Sequence, residues 1–252
     1  MSGQRTEHKW FYVVMAVLLL ATAIGGFAAS YLVPVSRGTF VGPSVVHLHA
    51  LVAFAWMLLF VLQTALVAAG RMTSHQAFGM FGIALATAMV FSGLMVATKN
   101  MSVGIAAGNE EGARMFAVFP VTITLLFGGF FAAAIANIGR PGIHKRLMLT
   151  AAIMTMPPAA GRVLGRLLTE GELPRQIIGA TPASLANATI ASLAADVFLL
   201  IAIAYDWRTR GRPHPVYLVS LAVILAVQLG RLPLAETDAW RQVTDVLRAL
   251  AS

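Results

Sequence analysis

The side chains that could do chemistry in this chain are set in oily sequence. The stretch "HLHALVAFAWMLLFVLQTALVAAGRMTSH" runs from His47 to His75 with Gln63 in its interior. Beyond it lie His144, then Arg162 after "MPP", then Asp196, His214, Gln228 and Arg231. Imidazoles in apolar surroundings act as axial ligands to haem iron, as metal ligands or as hydrogen-bonded packing groups. Charged and amide side chains in such surroundings face inward, find partners and mark binding or ion pathways.

Other chemistries are excluded. The chain has no cysteine, so disulfides, iron–sulfur ligation and thiolate catalysis are out. A retinal Schiff base needs a lysine inside the bundle, and Lys9, Lys99 and Lys145 sit at ends or in loops. There is no H-E-x-x-H, Walker loop or G-x-S-x-G. A zinc hydrolase would need three clustered ligands, which only His75, His144 and His214 could supply.

The elements that hold these residues follow from composition. Of 252 residues, 58% are hydrophobic and 11% charged, against about 25% charged in soluble domains. Such a chain belongs in a bilayer. Seven apolar segments, at roughly 10–33, 45–68, 76–98, 115–137, 147–165, 188–206 and 215–234, are each long enough to cross a ~30 Å hydrocarbon core. Short alternating strands are missing, so the class is all-α: a polytopic membrane protein with a seven-transmembrane-helix bundle over 1–234. The first segment resembles a signal peptide in its leading Arg5 and Lys9, but its apolar run exceeds the usual 7–15 residues, so a retained helix is expected. Residues 235–252 follow, in which Trp240, Val243, Leu247 and Leu250 share a face, the pattern of a short amphipathic surface helix.

Charge sorts between the connections. Arg71, then Arg140, Lys145 and Arg146, then Arg208, Arg210 and Arg212 gather on three short ones, with Asp206 almost the only acid beside them. Glu110, Glu111, Glu170 and Glu172 lie on the others. Positive-inside puts the N-terminus in the cytoplasm and the C-terminus outside, in a bacterial inner membrane. The net charge of +8 then reads as anchoring to membrane lipids, not as a nucleic-acid surface.

Two groups of polar residues result. His49, Arg162, Asp196 and Gln228 belong to the outer half, and His49 and Gln63 share a stripe of the second helix. Together the five could line a polar cavity for a small molecule or a quinone headgroup. Alternatively Asp196 pairs with Arg162 or His49 and merely holds the bundle together. His47, about 200° around from His49, reads as interfacial. On the cytoplasmic side His75 opens the third helix, His144 precedes the fifth and His214 the seventh. Each could snorkel to headgroups. For His75 and His144 ligation stands beside that reading, with Met148, Phe78 and Phe81 available to line a flat slot.

"SHQAFGMFGIALATAMVFSGLMVAT" and "RPGIHKRLMLTAAIMTMPPAAGRVLGR" resemble an uncharacterised bacterial family of multi-pass membrane proteins. The resemblance rests on His75 with Gly79, on His144, Lys145, Arg146, Met148 and Arg162, on the preceding H-x-H helix, and on Asp196, Asp206, Arg212, His214 and Pro215. It covers roughly residues 45–217 and implies a topology more than a chemistry. A more distant likeness is to cytochrome b561-type bundles, which grip haem between histidines on alternate helices. That likeness implies His75 and His144 as one axial pair and His49 as half of another. The fourth helix has no histidine, so the second pair is incomplete and one haem b at most is implied.

Three functions remain open. The first is haem-binding or quinone-linked electron transfer with a redox partner. The second is a small-molecule binder or transporter built on the outer cavity. The third is a non-catalytic subunit of a membrane complex, in which Gly161 and Gly165, or Gly79 and Gly82, allow close helix packing.

Overall fold

The computed structural model describes residues 2–168 and 182–249, with side chains for 10–167 and 184–249. The first helix, α1 (Ser2–Phe27), runs on through a π-helical turn at Ala28–Leu32 and a last turn at Val33–Ser36. There follow α2 (Val45–Ala68), α3 (Met72–Ala106), α4 (Glu110–Ala136), α5 (Pro141–Met154), α6 (Pro157–Leu168), α7 (Pro182–Ala195), α8 (Val197–Arg210), α9 (Pro215–Ala235) and α10 (Asp238–Ala249). No strand occurs among the described residues. Six continuous stretches are long and apolar enough to cross a membrane: Trp10–Ser36, Val45–Ala68, Met72–Ala106, Glu110–Ala136, Ser184–Arg210 and Pro215–Ala235. The pair α5 and α6, bent by 49°, makes a seventh when taken as one broken span. The chain is thus an all-α polytopic membrane protein.

Local chemistry sets the boundaries. Asn109 caps α4 by accepting the Gly112 amide, and Glu110 and Glu111 complement the positive end of its dipole. Gly211, at φ 74°, ends α8 in the left-handed region that a side chain resists. Pro215 opens α9 at a position where its missing amide costs nothing. Pro157 and Pro158 supply no amide to the carbonyls of the preceding turn, so α5 stops at Met154 and α6 starts afresh.

One span is longer than its apolar run implies. The third was expected at 76–98, but α3 has 35 residues, or about 52 Å at ~1.5 Å per residue. Lys99 and Asn100 look like an exit from the membrane. The helix continues past them, with the Thr98 and Ser102 hydroxyls turned back onto the Leu94 and Thr98 carbonyls and so spared an unpaired exposure. Ala97, Met101 and Gly104 meanwhile bury against the start of α4, where a Cβ on Gly104 would lie 2.7 Å from that of Ala113.

The fourth helix is the hub: α4 packs against α3 and α5 and also touches α7, α9 and α10. The first packs against α2, α5 and α6 and buries Met15, Ala16 and Leu19 in the main core with Trp56, Phe60 and Phe127. A second core, including Met101, Val118, Phe119, Leu185 and Trp240, closes the end of the bundle that carries Glu110 and Glu111. We call this end the acidic face and the end carrying Arg71, Arg140 and Arg208 the basic face. Leu51, Phe91, Leu125 and Val219 point outward, as lipid-facing positions would.

The C-terminal helix is docked, not free. Trp240 Nε1 donates to the Arg114 carbonyl at 2.7 Å, and the Arg114 guanidinium reaches Thr244, Asp245 and Glu110. Trp240 is buried and Leu247 packs against the second core, as the amphipathic pattern implied. Val243, expected on the same face, is exposed because Thr244 turns inward to meet Arg114. Leu250 lies outside the described residues, as do Glu170 and Glu172.

Candidate functional site

On the basic face, α2, α3, α4 and α5 hold two histidines by hydrogen bonds to neighbouring helices. His75, one turn into α3, donates from Nδ1 to Gln63 Oε1 on α2 at 2.7 Å. His144, in the first turn of α5, donates from Nδ1 to the Ala134 carbonyl of α4 at 2.8 Å. A carbonyl oxygen only accepts, so each ring keeps its proton on Nδ1 and presents the Nε2 lone pair. This is the arrangement in which an outer partner fixes the tautomer of a ligating imidazole. Space is kept beside His75: the nearest atom to a Cβ built on Gly79 is Gln63 Nε2 at 3.8 Å.

The expected slot lining is corrected in part. Phe78 and Phe81 are exposed, because on α3 they fall on the face turned away from α2 and α4, while Met148 packs against the core. Among the described residues no group of three or more His, Asp or Glu is placed to hold a metal ion, so the three-ligand zinc site finds no support. His214 is an N-cap: its Nδ1 accepts the Val216 amide at 3.2 Å. Burial, then the charges of Arg146 and Arg210, hold its imidazole below the usual histidine range, in keeping with a neutral accepting ring.

The five residues expected to share a polar cavity do not converge. Gln63 belongs with His75. It lies fourteen residues from His49, or ~21 Å along α2. His49 Nδ1 meets Ser92 Oγ of α3 at 3.0 Å, beside Gly93, where a built Cβ would lie 2.9 Å from Thr124 Oγ1. His47 is exposed, with Nδ1 3.0 Å from the Tyr31 hydroxyl. Arg162 does not pair with Asp196. It donates to Ser30 Oγ at 3.0 Å and the Pro158 carbonyl at 2.8 Å, over the Phe27 ring, because the bend at Pro157 swings its face toward α1.

The partner of Asp196 is Gln228, neither Arg162 nor His49. Asp196 sits at the break between α7 and α8, and its Oδ1 accepts from Gln228 Nε2 at 3.3 Å. Arg231, one turn further along α9, donates to Thr122 Oγ1 at 2.9 Å and to Ser192 Oγ at 2.8 Å. It lies over the Phe119 ring and is fully buried.

One buried centre was not anticipated at all. Arg146 and Asp206 form a bidentate ion pair, Nε to Oδ2 at 2.8 Å and Nη2 to Oδ1 at 2.7 Å, with side chains 4% and 2% exposed. Arg146 also donates to the Gly142 carbonyl and faces the buried Tyr217 ring, whose hydroxyl meets that of Tyr12. Asp206 accepts further from Arg210 and the His214 amide. The pair ties α5 to α8, and through the two tyrosines to α1 and α9. The signal was in the sequence: Asp206 is almost alone among basic loops, and a lone acid there is a counter-charge in waiting.

An open groove of about 640 Å³ lies between α4, α5 and α9, lined by Leu125, Leu126, Phe130, Leu147, Val219 and Val223 among others. Ala133 forms part of its wall, next to the residue whose carbonyl holds His144. No family model, no curated protein and no solved structure matches the chain.

Proposed function

We propose that this membrane protein binds one b-type haem between His75 and His144 and serves in electron transfer. The observation that carries the reading is the hydrogen bonding of the two rings. Each spends Nδ1 on a carbonyl oxygen of a neighbouring helix and leaves Nε2 for iron. The haem would supply one-electron redox chemistry. The chain's part is to orient the imidazoles through Gln63 and Ala134 and to surround them with apolar side chains such as Met148. His49 is no second ligand in this reading, since its nearest partner is Ser92. The groove beside Ala133 suits the isoprenoid tail of a membrane quinone as the redox partner. The test is a reduced-minus-oxidised spectrum of the purified protein, expressed with ample haem. His75→Ala and His144→Ala should each abolish the haem bands while eluting as folded protein, and His49→Ala should keep them. A colourless parent would overturn the reading.

The same reading places the basic face in the cytoplasm, supported by the gathering of arginines on the short connections. A cytoplasm-only reporter fused after Arg212 should give signal, and one fused after Glu172 should not. The reverse pattern would invert the orientation.

A further inference from the structure

Inside the acidic half of the bundle, two oxygens on one hydrogen-bonded pair lack a donor. Asp196 and Gln228 are 4% and 2% exposed. Gln228 Nε2 donates to Asp196 Oδ1, yet Asp196 Oδ2 and Gln228 Oε1 are buried with no hydrogen-bond partner among the described residues. Leaving two buried acceptors unmet is costly, and the cost is highest where no water can substitute. One hydrogen shared between them would satisfy both.

We propose that Asp196 and Gln228 form an intramembrane proton-binding site. Asp196 holds the proton on Oδ2 and donates it to Gln228 Oε1, while Gln228 Nε2 donates to Asp196 Oδ1. A carboxylic acid and a primary amide are complementary in this way, each offering one donor and one acceptor. Binding turns the carboxylate into a neutral acid, and release returns the proton to water and leaves a carboxylate at the α7–α8 break. The surroundings fit that exchange. Arg231 is the charged group that acts on Asp196, and no ion pair of Asp196 lies within 4.0 Å among the described residues. Two of Arg231's nitrogens are already held by Thr122 on α4 and Ser192 on α7. The guanidinium therefore stands near the carboxyl without being bonded to it, ready to balance the charge when the proton leaves. Ala235, one turn beyond Arg231, lines a polar cleft of about 440 Å³ on the acidic face, bordered by Glu110, Glu111, Glu236 and Asp245 and by Arg114 and Arg241.

A metal cation fits less well. Hard cations take about six or more oxygens. Here two are free, and Arg231 would repel a second positive charge.

The parent protein itself provides the test. The chain holds four aspartates. Asp206 is locked in its ion pair with Arg146, and Asp238 and Asp245 are exposed. Infrared spectra of protein carrying carbon-13 at the aspartate carboxyl, reconstituted in vesicles, should show one protonated aspartyl band in mildly acidic buffer. The band should shift in heavy water and disappear as pH rises. It should be absent in Asp196→Asn and move in Gln228→Met, which removes the accepting amide oxygen. All four aspartates ionised from mildly acidic to alkaline pH would overturn the proposal. So would a band that responds to sodium in place of choline at fixed pH, which would make this a cation site. The signal comes from the carboxyl alone, so it reads out whether or not haem is bound.

Discussion

Asp206→Ala is expected to cost roughly 3–5 kcal/mol of stability, the range for stripping one partner from a buried ion pair. The reason is what remains. Arg146 is 3% exposed, and with Asp206 gone its Nε and Nη2 lose their acceptors in a site that water does not reach. The His214 amide loses an acceptor too, so the turn into α9 should loosen. The measurement is the folded fraction remaining after graded heating in detergent, read by gel filtration. The double variant Arg146→Met with Asp206→Leu should recover much of the loss, because a well-packed apolar pair avoids the desolvation of two ions. A single variant as stable as the parent would show that the pair contributes nothing, and the reading of this centre as the clamp of the basic face would fail.

Gly26→Ala should be the most damaging small substitution in the spans, at roughly 1–3 kcal/mol for forced overpacking. A Cβ there would lie 2.7 Å from both Cα and the carbonyl oxygen of Ala159. Those are backbone atoms that no rotamer change can move, so α1 and α6 would have to separate. Gly25 is the control. Among the described residues nothing lies within 4 Å of a Cβ built on it, and Gly25→Ala should stay within about 0.5 kcal/mol of the parent. Equal effects of the two substitutions, in the same heating assay, would refute the close crossing.

The spans were legible because lipid imposes a length and a composition, and both survive in the raw sequence. The break at Pro157 has a similarly local cause, the amides that two successive prolines lack. The polar partners were not. Asp196 was rightly marked as a residue that must face inward, but its partner depends on how helices rotate, and hydropathy carries no rotation. Arg162 looked like a counter-charge because two prolines mark a break but not the direction in which it turns the helix. The bend turned it to Ser30 and gave Gln228 to Asp196. Arg146 and Asp206 sit at helix ends, where the simplest reading is contact with headgroups. Only the arrangement of α5, α8 and α9 shows that these ends are covered. His75 and His144 could be placed at one depth from the sequence, whereas their hydrogen-bond partners Gln63 and Ala134 required the neighbouring helices.

The bend also bears on how this protein is made. Arg162 and Arg166 project from α6 into the bundle, and what receives them is α1: the Ser30 hydroxyl for one, the Gly25 and Gly26 carbonyls for the other. A helix bearing two arginines is a poor candidate for partitioning into lipid unaided. Its arginines are expected to settle only against a segment that lies four spans before it in the chain. The first span acts here as an internal chaperone for the fifth, and completion of the bundle becomes a post-insertion event in place of a simple succession of independent hairpins.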